Sequence, residues 1–450
     1  MHTFKTRRRW FRAATMAAAF AAMGAAGGCS DFLAVENPGA VETEDLNDPK
    51  YIGLLVNGVI GEFQPTLPVV AYYSAVFTDE LRNHHNFFEE KLIDQRNVTP
   101  DNATYVTLVY NPMHRARFLA DSAAAYLRGF LADSAGRDLR LARVQAYGGY
   151  SYVLLGETLC ASPVNMGPVL SSNELLALAV TRFTDVLSIT DAAKALPTAT
   201  AGQKATADSL ANLARVGIAR AYLQMGNKAK ALEFASQVPA AYEFRSYYSI
   251  NSTRENNPIF GRLSQVGSIS GGLDFTPWET VTADPRVPRP AANEPTLDGI
   301  RAHLPNSPLQ YSSYNNTVVG AEFVRDGWLR MASGLEAQYI VAEAAGPTTA
   351  TIAFIESRRA IDPTGRAAAA TTTANFLANL REQRARDFYL SGHRLGDMRR
   401  YKAQHGVDLF PSGPYENSSS GEVYGSLTNN QTCFPLSAAE ISGNPNVPKS

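Results

Sequence analysis

From residue 104 to about 238, apolar residues recur every three or four positions. Tyr105, Leu108 and Val109, then Phe118, Leu119, Ala123 and Leu127, fall on one face of a helix, and 141–159 and 174–189 repeat the theme. The sharpest unit is 212–238, in which Ile218, Ala219 and Tyr222 line one helix, Gly226-Asn227 turns, and Ala231, Ala235 and Val238 line the next. A small residue such as Ala231 lets two helices approach, and a turn residue at positive φ is easiest for glycine. Tyr152 and Gly156 repeat the Tyr-x-x-x-Gly spacing, and 335–345, Gly346-Pro347 and 348–360 form another helix–turn–helix pattern. The expectation is an all-α fold on a tetratricopeptide-like helical-repeat scaffold, with a plain helical bundle as the alternative. Elsewhere the period fails. The stretch 51–73 is apolar and uncharged except for Glu62, and therefore needs burial. Residues 77–96 mix carboxylates, histidines and phenylalanines without period and read as a loop excursion. Between 239 and 328 aromatic residues stand among Pro, Gly, Asn and Ser, which predicts a large ordered loop region. Helical spacing returns over 329–402, and a turn-rich C-terminal segment is expected to wrap the body.

The N-terminus changes this picture. Lys5, Arg7, Arg8, Arg9 and Arg12 precede an alanine-rich apolar run that ends in Ala26-Gly27-Gly28-Cys29, the layout of a secretory signal peptide. The run falls short of the ~20 apolar residues that span a bilayer. A cysteine directly after small residues resembles the lipobox of bacterial lipoproteins, which implies cleavage before Cys29 and lipidation of its thiol. The expected organisation is a signal peptide over 1–28, a lipidated tether over 29–46 and a helical body over 47–450. The body would carry its repeats at about 104–238 and 329–402, with the loop and ligand region between them. Net charge is −1 over 450 residues, and the leader holds only basic charges, so the mature chain is mildly acidic. That offers no basic stripe for nucleic acid. Cys160 and Cys433 are too few for a disulfide framework; one bridge between them is conceivable in an exported protein, and the sequence leaves it open.

Motifs for catalysis are missing. There is no Gly-x-Ser-x-Gly elbow, no His-Glu-x-x-His, no phosphate loop and no cysteine pair at zinc spacing. His84 and His85 are adjacent, which suits joint metal binding poorly. Asp79, Glu80, Glu89 and Glu90 could supply the two carboxylates of a glycoside hydrolase, but acidic pairs on a loop are more often solvated or hydrogen-bonded. The expectation is a non-enzyme without cofactor or metal. Ligand binding is easier to support, because sugar rings stack their C–H faces on aromatic rings while hydroxyls seek Asn, Asp, Arg and Gln. Two stretches combine these groups: 79–90, with Arg82, Asn83, His85, Phe87 and Phe88, and 273–328, with Trp278, Tyr311, Tyr314, Asn315 and Arg325.

Several segments, in order, resemble the SusD/RagB family of nutrient-uptake outer-membrane lipoproteins. They are the lipobox with Asp31-Phe32-Leu33 and Asn37-Pro38; Asp284-Pro285-Arg286; Glu336-Ala337 with Ala342-Glu343-Ala344; Arg384 to Arg400, with Gly392-His393-Arg394 and Asp397-Met398-Arg399-Arg400; and Phe434-Pro435-Leu436 with Glu440-Ile441 and Asn444-Pro445. Ser391 stands where the family often has Glu, and the chain is somewhat short for the group. The resemblance implies a mostly helical body, no catalysis, a surface-exposed lipid-anchored position on the outer membrane, and a SusC-type TonB-dependent transporter as partner. It implies a nutrient ligand, foremost an oligosaccharide. The other reading is an envelope scaffold lipoprotein that binds no small molecule. Arg384, Arg386, Arg394, Arg399 and Arg400 read as ion-paired framework, or else as a solvated helix face, and in neither case as a ligand site.

Overall fold

Helices form where the apolar spacing places them. The computed structural model describes residues 48–83, 87–265, 269–271, 284–287, 325–362, 370–416, 423–427 and 430–448. The chain divides into two units, Met1–Tyr51 and Ile52–Ser450. Of the first, the described part is a single 3-10 turn, Pro49–Tyr51. Cys29 and the expected tether lie outside the described residues.

In the second unit, α1 (Ile52–Phe77) takes up the apolar stretch and buries nearly every side chain from Thr66 onward. It contains Pro65 and Pro68. A proline gives no N–H to the carbonyl four residues back. For Pro68 that carbonyl is Gln64 O, and the Tyr248 hydroxyl donates to it at 2.8 Å. The excursion expected over 77–96 is a correction: the described part forms β1 (Leu81–Asn83) and α2 (Phe88–Asp94). Each is too short to print a period on the sequence.

A π-helical turn, Val106–Tyr110, leads into α3 (Asn111–Leu131) and α4 (Leu139–Thr158). The hairpin β2 (Ala161–Pro163) and β3 (Val169–Ser171) follows, then α5 (Ser172–Lys194), α6 (Ala201–Gln224) and α7 (Lys228–Ala235). Asp138, Ser171, Thr200 and Asn227 start α4 to α7, each accepting a hydrogen bond from an N–H of the first turn. Phe183 on α5 is the packing key. A Cβ added to Gly149 on α4 would lie 2.5 Å from its ring, and one on Gly217 of α6 2.3 Å from it. Gly226, at φ 79°, ends α6 and lets the Asn227 N–H reach Tyr222 O at 2.8 Å. Gly156 differs from the expected turn role. It sits inside α4, where a Cβ would meet Leu176 at 2.7 Å, so it serves helix contact.

The region 239–328 is partly regular, another departure from the expected loop assembly. β4 (Glu243–Tyr247) pairs antiparallel with β6 (Trp328–Ser333), and α8 (Pro258–Gln265) precedes β5 (Ile269–Gly271), which pairs with β1. The helix pair α9 (Gly334–Ala345) and α10 (Thr349–Arg359) turns at Gly346, as the pattern predicts. Then come α11 (Phe376–Asp387), α12 (Arg394–His405), the strand pair β7 (Pro414–Glu416) and β8 (Val423–Ser426), and α13 (Ala438–Gly443). The C-terminal segment wraps as expected. Cys433 is disulfide-bonded to Cys160, 273 residues away, and Phe434 is fully buried with its ring stacked on Tyr105.

A lattice of ion pairs lies inside this shell. Arg384 meets Asp397 at 2.7 Å; Arg400 forks onto Glu343 at 2.7 and 2.9 Å and reaches Asp397 at 2.8 Å. Arg394 forks onto Asp79, Arg386 holds Asp284 and Asp362 at 3.0 Å each, and Arg220 forks onto Glu157 at 2.8 and 2.6 Å. Burial opposes ionisation of Asp397, yet Arg384 and Arg400 hold its carboxyl well below the usual range. Glu80 has no such fork. Burial outweighs the Leu390 N–H and Arg394 and pushes its carboxyl up to about 8.

Two outcomes follow. Gly217→Ala should lower unfolding stability by about 1–3 kcal/mol through overpacking on Phe183. Gly58→Ala, with open space around it on α1, should raise it by about 0.5–1 kcal/mol; equal effects in urea unfolding would contradict this packing. For Glu80, the native state keeps a proton that the unfolded chain has lost between its ordinary value of 4.5 and about 8. Its contribution therefore falls as pH rises through that window. Glu80→Gln should gain on the parent as urea unfolding is moved from pH 5 to pH 9; a difference independent of pH would refute the assignment.

Candidate ligand-binding site

Two of the expected ligand residues, Arg82 and Asn83, engage groups of the protein itself. Arg82, on β1, lies 3.5 Å from Asp94 and places its guanidinium 4.8 Å from the Tyr415 ring centroid. Asn83 is buried: its N–H donates to Asp94 at 2.8 Å, its amide to Glu90 at 3.4 Å, and its carbonyl accepts from the Tyr415 hydroxyl at 3.0 Å. β1 is held between α2 and the β7 strand, so its polar groups face partners of the protein's own.

The four carboxylates weighed for hydrolysis are engaged in the same way. Asp79 takes the Arg394 fork, and Glu80 accepts from Leu390 N–H at 2.9 Å. Glu89 accepts from the Thr104 hydroxyl at 3.2 Å, and Glu90 from the Tyr73 hydroxyl at 2.9 Å with Arg262 at 3.5 Å.

Phe87 and Phe88 stand differently. They open α2 and are 63% and 71% exposed, among the most exposed large apolar side chains described. Their backbone is fixed from below, because Glu90 and Asp94 on the same helix are buried against Tyr73 and Asn83. Two rings thus project on a short, anchored helix. His85, Trp278, Tyr311, Tyr314 and Asn315 lie outside the described residues. Arg325 is exposed, with its guanidinium 5.2 Å from the Phe260 ring centroid on α8 and its carbonyl accepting from Asn257 N–H at 2.8 Å. α8 links these points, since Arg262 reaches Glu90 and Phe260 underlies Arg325.

Beyond the expected residues, the outer face of the β4–β6 pair forms an aromatic and charged platform. Tyr247 is 62% exposed and lies opposite Trp328 in the ladder, while the Arg245 guanidinium sits 3.7 Å from the Trp328 centroid. Glu243 bridges Arg245 at 2.6 Å and Arg330 at 2.8 Å. The two-residue alternation Glu243, Arg245, Tyr247 was available as a signal, but five residues of it in a Pro- and Asn-rich stretch are short. Tyr247 is the exposed ring of this face, whereas Trp328 is half-buried beneath Arg245.

No protein-family model and no curated protein sequence matches the chain. Solved structures do. A SusD/RagB family protein from Bacteroides thetaiotaomicron superposes with a TM-score of 0.62 at 14% identity, covering 87% of this chain and 94% of its own. A second protein from that organism, of the SusD superfamily, gives 0.65 at 13% identity over 89% and 98%. A laminarin-binding SusD-like protein gives 0.58 at 11% identity over 88% and 98%. Identities this low speak for the fold alone, and at this coverage the fold is unambiguous: the chain has the SusD/RagB fold.

Proposed function

We propose that this chain is a SusD/RagB-family lipoprotein that binds a nutrient, foremost an oligosaccharide, at the outer face of the outer membrane. In this reading Cys29 carries the lipid, and the captured ligand passes to a SusC-type TonB-dependent transporter. No chemical step is included. The observation that carries the reading is the exposed Phe87–Phe88 pair, anchored from below by Glu90 and Asp94, on a SusD/RagB scaffold. The laminarin-binding neighbour makes a β-glucan a reasonable first ligand. A lipid anchor on Cys29 with several acyl chains would hold stably where a single chain is marginal.

Calorimetric titration of the purified chain with laminarin and a panel of neutral glycans should give saturable heat for at least one of them. Replacing both Phe87 and Phe88 by Ala should then weaken that ligand roughly tenfold or more, at about 0.5–1.5 kcal/mol per ring, without moving the thermal midpoint. No heat across the panel would favour the ligand-free scaffold instead. In cells, Cys29→Ala should release the protein from the membrane, and the parent should co-purify with a barrel transporter. A soluble parent without such a partner would refute the delivery role.

A further inference from the structure

The Cys160–Cys433 bridge joins two parts of the chain that are held unequally. Cys160 comes just after α4, and that end is fixed from inside. Arg399 of α12 donates to the carbonyls of Gly156 at 3.1 Å, Glu157 at 2.6 Å and Leu159 at 3.1 Å. Carbonyls at a helix C-terminus are natural partners for a cation. Cys433 stands near the start of the C-terminal strap, 430–448, whose one described regular element is the six-residue α13. Hydrogen bonds to its neighbours hold this strap in place. Phe434 donates its N–H to Thr158 O and accepts from Cys160 N–H, each at 2.9 Å, and its ring is fully buried.

The strap in turn holds the segment that supports α2. Gln431 accepts from Val98 N–H at 2.8 Å and donates to Val98 O at 2.9 Å. Arg96 donates to Gln431 O at 3.1 Å, Ala438 N–H to Pro100 O at 2.9 Å, and the Tyr105 hydroxyl to Pro435 O. From this segment the contacts run on to the first turn of α2. Asn102 donates to Glu89 O at 3.0 Å, and Thr104 donates to the Glu89 carboxylate at 3.2 Å. Glu89 directly follows Phe88. α2 therefore has two supports: Glu90 and Asp94 against Tyr73 and Asn83, and this relay from the strap.

The bridge is also within reach of solvent. Cys160 is exposed and Cys433 half-buried, while their neighbours Leu159 and Phe434 are fully buried. Access to a sulfur decides where an incoming thiolate attacks. We propose that this bridge is a site of thiol–disulfide exchange with a dithiol oxidoreductase, and that opening it loosens the strap and, through 96–105, the base of the Phe87–Phe88 pair. One thiolate of the dithiol attacks Cys160 Sγ, forming a mixed disulfide and releasing Cys433 as a thiolate. The second thiolate attacks the dithiol's own sulfur in that mixed disulfide, which oxidises the dithiol and releases Cys160. Two electrons pass to the cysteine sulfurs, and the dithiol's two protons follow. A closed bridge reseats the strap after each local opening. Once it is cut, every opening gains chain entropy, so the segments that the strap holds open more often. The buried Phe434 ring keeps the body folded meanwhile.

The test uses the purified chain without saccharide. Dithiothreitol at neutral pH, without denaturant, should convert Cys160 and Cys433 to thiols, mapped by alkylation and peptide mass. Reduced glutathione, a monothiol, should leave its mixed disulfide on Cys160. Hydrogen exchange of the reduced chain should quicken about tenfold or more in 430–448 and 96–105. It should rise severalfold in 87–95 and stay unchanged in 172–224. The double variant Cys160→Ser, Cys433→Ser should exchange like the reduced parent and ignore dithiothreitol, which separates the bridge from other effects of the reagent. A bridge that opens only in denaturant, glutathione on Cys433, 87–95 unchanged after reduction, or a uniform rise that includes 172–224 would overturn the proposal. None of these readouts contains a ligand, so failure here leaves the saccharide reading standing.

Discussion

The structure depends on buried arginine–carboxylate pairing between α12 and distant parts of the chain. α12 reads as a polar helix, Arg394-Leu-Gly-Asp-Met-Arg-Arg-Tyr-Lys-Ala-Gln-His405, and yet Arg394, Asp397 and Arg400 are buried. Stripping water from such groups costs several kcal/mol per ion, and only near-ideal forks offset it. Two of the partners come from far away, Asp79 from just past α1 and Glu343 from α9, while Asp397 sits one turn from Arg400 on α12 itself. The adjoining Arg386 reaches Asp284, and Arg358 forks onto Asp387 with the Tyr339 hydroxyl on the same carboxylate. Losing one partner leaves a buried charge, at about 3–5 kcal/mol. The lattice therefore specifies which helix meets which, beyond what apolar packing alone would select.

This arrangement sets the ionic framework apart from the exposed aromatic pair. Glu90 and Asp94 on the same helix are drawn inward against Tyr73 and Asn83, so Phe87 and Phe88 stand on a firm base. The C-terminal wrap adds to that rigidity. The Cys160–Cys433 bridge closes a long loop, and Phe434 fills the space between Phe77 and Tyr105. A rigid rim that presents aromatic rings loses little side-chain entropy on binding.

How much of this the sequence carried depends on the length of each signal. The repeat helices were readable because 20 or so residues at helical spacing leave a strong pattern, and Gly226 and Gly346 marked turns by their required φ. For Arg384, Arg386, Arg394 and Arg400 the sequence offered ion-paired framework beside a solvated helix face, and their burial on carboxylates decides for the first. The stretch 77–96 was not, because three-residue and seven-residue elements show no period and their burial is imposed by contacts over 300 residues away. Arg82 and Asn83 look like ligand groups in sequence for the same reason that they make good internal partners. Two cysteines carry no geometry, so the bridge waited for the fold. Gly156 shared its spacing with Gly226 but serves helix contact, since spacing cannot tell a turn from a close approach. Arg399 differs from Arg400 only in where it points.

The saccharide platform proposed at Phe87 and Phe88 is open to a direct structural test. A crystal structure of the chain soaked with a laminarin oligosaccharide tests it most directly. The account predicts a sugar ring stacked within van der Waals distance of at least one of the two phenylalanines, with the Asp79–Arg394 and Glu80–Leu390 contacts unchanged. An oligosaccharide seated elsewhere on the body, with both rings left bare, would contradict it.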